Sequence, residues 1–97
     1  MPTYISLFRY TQKGLESIKD SPKRLDAGRK AFQSQGGTVK AFYLTMGQYD
    51  GVLIGEAPND EALAKLALSL GAQGNVRTET FRAFTEDEFR KLVSDVP

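Results

Sequence analysis

The chain has 97 residues, a formal net charge of +1, and neither Cys nor His. That length fits one domain, expected to span residues 1–97, and so small a charge creates no field to gather nucleic acid or an anionic membrane. Without thiols or imidazoles, disulfides, zinc–thiolate centres, thiol nucleophiles and His-ligated haem are excluded, so no metal and no cofactor is expected.

The run Tyr4-Ile5-Ser6-Leu7-Phe8-Arg9-Tyr10 is short and rich in aromatic and aliphatic residues, which predicts a first strand. No basic leader and no long apolar stretch accompanies it, so neither a signal peptide nor a membrane span is expected, and the compartment predicted is the cytoplasm. Thr11 is placed to cap a brief helical piece carrying Leu15 and Ile18. Ser21 and Pro22 read as the N-cap and first position of a longer helix, with Leu25, Gly28 and Phe32 on one face and a stop at Gly36-Gly37. Residues 38–46 predict a second strand. Gly47-Gln48 then reads as a two-residue type II′ turn into a third strand at 49–57. Gly51 and Gly55 thin that strand, a sign of a bulge or of close approach by another backbone.

Pro58-Asn59 opens a second main helix, with Asp60 and Glu61 in its electropositive first turn and Leu63, Leu66, Ala67 and Leu70 as its apolar stripe. Gly71 and Gly74 close it. A fourth strand is predicted over 76–84. Thr85-Glu86-Asp87-Glu88 has the form of a capping box for a terminal helix bearing Phe89, Leu92 and Val93.

The order β-α-β-β-α-β plus a C-terminal helix belongs to the α+β class. With right-handed crossovers it gives a ferredoxin-like sandwich of four antiparallel strands with two helices on one face. The other face should then turn polar, and it does not. Ile5 and Leu7 oppose Tyr4, Phe8 and Tyr10 on the first strand. Phe42, Leu44 and Met46 oppose Val39, Ala41 and Tyr43 on the second, and Leu53 opposes Val52 and Ile54 on the third. Whichever face the helices cover, the remaining one is too apolar for water, which predicts a homodimer or higher homo-oligomer.

The stretch from Phe42 to Val52 resembles the signature of the GYD domain family, whose Gly, Tyr and Asp are here Gly47, Tyr49 and Asp50 around Gln48. Two more segments fit that family, Lys19-Asp20-Ser21-Pro22-Lys23-Arg24 and Gly74-Asn75-Val76-Arg77-Thr78-Glu79-Thr80 with Arg82-Ala83-Phe84-Thr85 after it; Glu56-Ala57-Pro58 fits as well. Gly51 departs from the pattern, standing where a bulkier aliphatic residue is expected. The resemblance implies a ferredoxin-like fold of the type that pairs into a dimeric α+β barrel. It implies no activity.

Five residues are candidates for a pocket between sheet and partner: Tyr4, Tyr43, Tyr49, Asp50 and Arg82. Each has a plainer reading. Gly47-Gln48-Tyr49-Asp50 is first a turn, with Asp50 accepting from nearby backbone N–H groups and Tyr49 sealing the strand ends. Tyr4 and Tyr43 read equally as core or interface aromatics, and Arg82 as the ion-pair partner of Glu56 or Glu79. The basic stretch Lys19, Lys23, Arg24, Arg29 and Lys30 reads as a solvated helix face rather than a phosphate site, since its spacing is not that of a P-loop. RNA-recognition modules share the element order, but the third strand here is aliphatic at its centre and lacks their Lys/Arg-Gly-aromatic signature, so no nucleic-acid partner is expected. Two functions remain: a binding or interaction module with an apolar pocket for a small hydrophobic ligand, and a metal-free, haem-free enzyme acting on a hydrophobic or aromatic metabolite.

Overall fold

The computed structural model describes all 97 residues. Strands β1 (Thr3–Tyr10), β2 (Thr38–Leu44), β3 (Gly51–Glu56) and β4 (Val76–Ala83) form one sheet in the order β2-β3-β1-β4, with every neighbouring pair antiparallel. A short helix α1 (Gln12–Glu16) and a 3₁₀ turn (Ile18–Asp20) lead into α2 (Ser21–Ser34); α3 (Asp60–Gln73) joins β3 to β4, and α4 (Glu86–Ser94) ends the chain. This is the ferredoxin-like arrangement expected of the element order.

The cap chemistry follows the sequence at three of four helices. The hydroxyl of Thr11 accepts from the Gly14 N–H, the Asn59 side chain from the Ala62 N–H, and Thr85 and Glu88 form a reciprocal capping box. Ser21 differs from expectation. It is already helical, and its hydroxyl lies 2.7 Å from the Tyr10 hydroxyl, tying the start of α2 to the end of β1. A side-chain partner across the fold has replaced the local backbone one.

Tyr4 and Phe8 of β1 point beneath α2 and α3, where Tyr4 joins Phe32, Ala57, Ala62, Leu63 and Leu66 in the core. Gly51 and Gly55 lie on this same face. A Cβ on Gly51 would sit 2.2 Å from Cζ of Phe8, and one on Gly55 2.7 Å from Cε1 of Phe32. The absent side chains make room for aromatic rings, where the sequence suggested a backbone neighbour, and this accounts for glycine at position 51 in place of an aliphatic residue.

The register of β2 corrects one face assignment. Val39 pairs with Gly55 and Ala41 with Ile54, leaving Lys40 as the extra residue of a β-bulge. The bulge turns Val39 onto the helix side, where it packs against the core, so it shares a face with Phe42 rather than opposing it. The β2–β3 connection also differs from a two-residue turn. It is a longer loop closed by the Thr45 N–H donating to the Asp50 carbonyl at 2.9 Å, with Gly47 at φ +117°. Only the positive φ at Gly47 survives from the tighter turn.

The helices do not roof the sheet evenly. α2 packs over β2 and α3 over β4, the two outer strands, and a slot is left between them above β1 and β3. α4 continues past the end of β4, and the molecule is 52 Å in its longest dimension and 18 Å in its shortest. Phe89, Leu92 and Val93 on α4 are 58%, 49% and 51% exposed, so the terminal helix does not fold back to cover the free face of its own sheet.

Candidate functional site

The uncovered face is the most distinctive surface of the chain. Strand alternation and pairing place Ile5 and Leu7 of β1, Val52 and Ile54 of β3, Ala41 and Tyr43 of β2 and Phe81 of β4 on it, with Ile5 directly between Ile54 and Phe81. Phe81 and Tyr43 remain largely exposed. Charged groups collect at the two ends of this apolar centre. At one end Lys40 and Glu56 form an ion pair at 3.3 Å. At the other, Arg9 and Arg77 are direct cross-strand partners, a like-charge juxtaposition that needs compensation.

Tyr49 and Glu79 supply part of it. The Arg9 guanidinium lies 4.8 Å from the centre of the Tyr49 ring, and its Nε donates to the Gln48 carbonyl at 2.8 Å. The Tyr49 hydroxyl donates to a Glu79 carboxylate oxygen. That hydrogen bond, with smaller contributions from desolvation and the Glu79 charge, pushes the Tyr49 phenol above its ordinary value.

Asp50 belongs to the loop's anchorage. Its carboxylate accepts from the Tyr10 N–H and its own N–H donates to the Phe8 carbonyl, both at 2.9 Å, which fastens the loop to the end of β1. Tyr4 and Arg82 are cross-strand partners on the helix-covered face, away from the two tyrosines above. The Tyr4 hydroxyl donates to Asp60 in the first turn of α3. Burial first, then that hydrogen bond and the Asp60 charge, raise the Tyr4 phenol above its ordinary value. Arg82 binds the carbonyls of Thr3 and Ala83, sits 4.5 Å from the centre of the Phe84 ring, and approaches Glu88 at 4.0 Å. Its ion partner is thus on α4, because Glu56 and Glu79 lie on the opposite, free face of the sheet.

The five candidates therefore fall into separate neighbourhoods. Tyr4 with Arg82 lies under the helices, Tyr43 stands on the free face, and Tyr49 with Asp50 sits at the loop end. Asp60 was read from sequence only as a helix first-turn acid and Glu79 only as a possible ion partner of Arg82. Their roles as phenol acceptors were not read, since each lies far along the chain from its tyrosine and only the tertiary fold brings them together. No three carboxylates converge as metal ligands would. No helix is long and apolar enough to cross a membrane.

A four-stranded antiparallel sheet covered on one face by helices, with an apolar free face, defines a ferredoxin-like α+β domain. The chain belongs to the GYD domain family, whose profile matches residues 4–93. It is 33% identical over 84 residues to a Thermus thermophilus protein named glutamine synthetase and cystathionine beta-lyase binding protein, covering 86% of this chain and 88% of that one. Among solved structures it is similar to one from Thermus thermophilus, with a TM-score of 0.53 and 26% identity, covering 88% of this chain and 95% of the other. It also shares the fold of the Mycobacterium tuberculosis leucine response regulatory protein, with a TM-score of 0.64 at 18% identity over 87% of this chain. The chain spans about half the length of that regulator, 51%.

Proposed function

We propose that this chain is a cytoplasmic homo-oligomeric interaction module that pairs through the free face of its sheet in the manner of a dimeric α+β barrel. The observation that carries this reading is the free face itself, apolar at its centre and charged at its ends, which is the anatomy of an association surface. Full burial of an exposed aliphatic or aromatic side chain is worth about 1.5–3 kcal/mol; those on this face are partly buried already, so each forgoes a fraction of that, and several together favour burial. Four strands of 8, 7, 6 and 8 residues at about 4.8 Å spacing give a flat footprint of roughly 450 Å² per copy, below a standard interface, so the strand face alone falls short of a stable pair. The projecting α4, with Phe89, Leu92 and Val93 uncovered, extends the surface available to clasp a second copy. A small hydrophobic ligand held where the paired sheets meet is part of the same reading.

Once paired, the module acts by binding other proteins, and its relative's name supports a metabolic enzyme as partner. Co-sedimentation with purified glutamine synthetase and with cystathionine β-lyase tests this part. The expected result is a saturable complex with at least one of them. Failure to bind either enzyme while the chain remains a folded oligomer would contradict the enzyme partner and leave the pairing standing.

A further inference from the structure

The geometry points to a second binding site, in the slot between α2 and α3, that takes a small monocarboxylate with a compact apolar body. The slot lies within one chain and on the helix-covered side of the sheet, so it does not depend on the pairing proposed above. Its walls are apolar, built by Phe8, Phe32, Leu53, Leu63 and Leu66, and its volume is about 100 Å³. An engineered cavity of about 150 Å³ admits benzene, so this smaller space, which opens to solvent, takes up about two thirds of a six-carbon ring and leaves the rest at its mouth. Of its uncharged polar side chains, Ser6 and Thr80 bond each other at 2.7 Å and Tyr10 bonds Ser21, while Thr78, Gln73 and Asn75 complete that part of the lining.

One charged side chain lines the slot, that of Arg24, and no carboxylate lines it. The guanidinium donates to the Ser17 carbonyl at 3.0 Å, the Ser17 hydroxyl at 3.1 Å and the Gly14 carbonyl at 3.2 Å. These bonds occupy three of its five N–H groups and neutralise none of its charge. Arg24 forms no salt bridge in the chain. A half-buried cation at the side of an apolar slot, held by the carbonyls at the end of α1 but paired with no carboxylate, favours an anionic head on an apolar body. The same setting rejects an amine, whose ammonium would be desolvated with no acidic partner and beside a like charge. Free amino acids are disfavoured on that ground.

Gly28 provides the handle for a test. It lines the slot from α2, and a Cβ built on it meets nothing within 4 Å. Gly28→Ala and Gly28→Leu both replace a mid-helix glycine by a better helix former, so both variants should fold, which circular dichroism verifies. Only leucine is long enough to fill the space. Amide chemical shifts of the full chain are followed on titration with sodium benzoate, benzamide and benzylamine. Benzoate should shift residues around the slot, with benzamide about tenfold weaker, the loss expected when a charge-assisted hydrogen bond becomes a neutral one, and benzylamine without effect. Gly28→Ala should keep benzoate binding and Gly28→Leu should abolish it. The site is overturned if benzoate causes no shifts, or if Gly28→Leu binds it as the parent does. Equal binding of benzamide or benzylamine overturns the role given to Arg24.

Discussion

On the helix side of the sheet Tyr4, Phe8 and Phe32 are 3%, 7% and 4% exposed, whereas on the opposite side Phe81 and Tyr43 are 46% and 60% exposed. Both sets of side chains come from the same strands or pack directly on them, and both are as apolar as a core requires. The difference is that α2 and α3 supply the chain's own cover for one side and nothing in the chain covers the other. Apolarity on a strand therefore reports burial without saying by whom, and the second face is a core whose other half lies outside the chain.

Substitutions of similar severity on the two faces should separate folding from association. Phe32→Ala empties the middle of the covered side and should cost about 3–5 kcal/mol of folding stability, read from chemical denaturation. Ile54→Lys at the centre of the free face should leave the fold intact but weaken self-association by about 2–3 kcal/mol, through desolvation of its ammonium. Sedimentation equilibrium would show this as a shift of the dissociation constant. If Ile54→Lys unfolds the chain without changing association, the two faces are not distinct in the way described.

The loop at one end of the sheet is a smaller test. Gly47→Val places a β-branched residue at φ +117° and should cost about 1–3 kcal/mol. An unchanged denaturation midpoint would show that the loop relaxes to another conformation at no cost.

The element order, both main helices and the terminal capping box were legible because each depends on local chemistry: Asn59 and Thr85 act within one turn of where they stand. What escaped is what depends on pairing. Nothing in the run Thr38-Val39-Lys40-Ala41 marks Lys40 as a bulge residue, yet that one residue moves Val39 to the core side. The loop is longer than its glycine suggested because Asp50 is held by the backbone of β1, forty residues earlier. The candidate tyrosines were visible as residues, but that Asp60 and Glu79 accept from two of them was not. The slot could not be foreseen either, since it arises from helices leaning on the two outer strands.

The smallest effect concerns pH and separates the buried phenol from the rest. With the folded-state value of Tyr4 raised above the ordinary 10, the unfolded chain ionises first as pH rises. The stabilisation is complete below about pH 10 and is lost progressively as pH rises through the higher folded value. Tyr4→Phe should cost about 1–2 kcal/mol at neutral pH, through the lost hydrogen bond to the Asp60 carboxylate, and should flatten this alkaline loss. Denaturation midpoints at neutral and alkaline pH check both; an identical alkaline loss in the variant would assign the effect to another group.

Pairing through the free face is the claim on which most depends, and static light scattering of the intact chain addresses it without any substitution. Across low to high micromolar concentration the mass should be at least twice the 10.7 kDa of one chain. A mass that stays at 10.7 kDa as concentration rises would contradict the pairing and any pocket between the sheets.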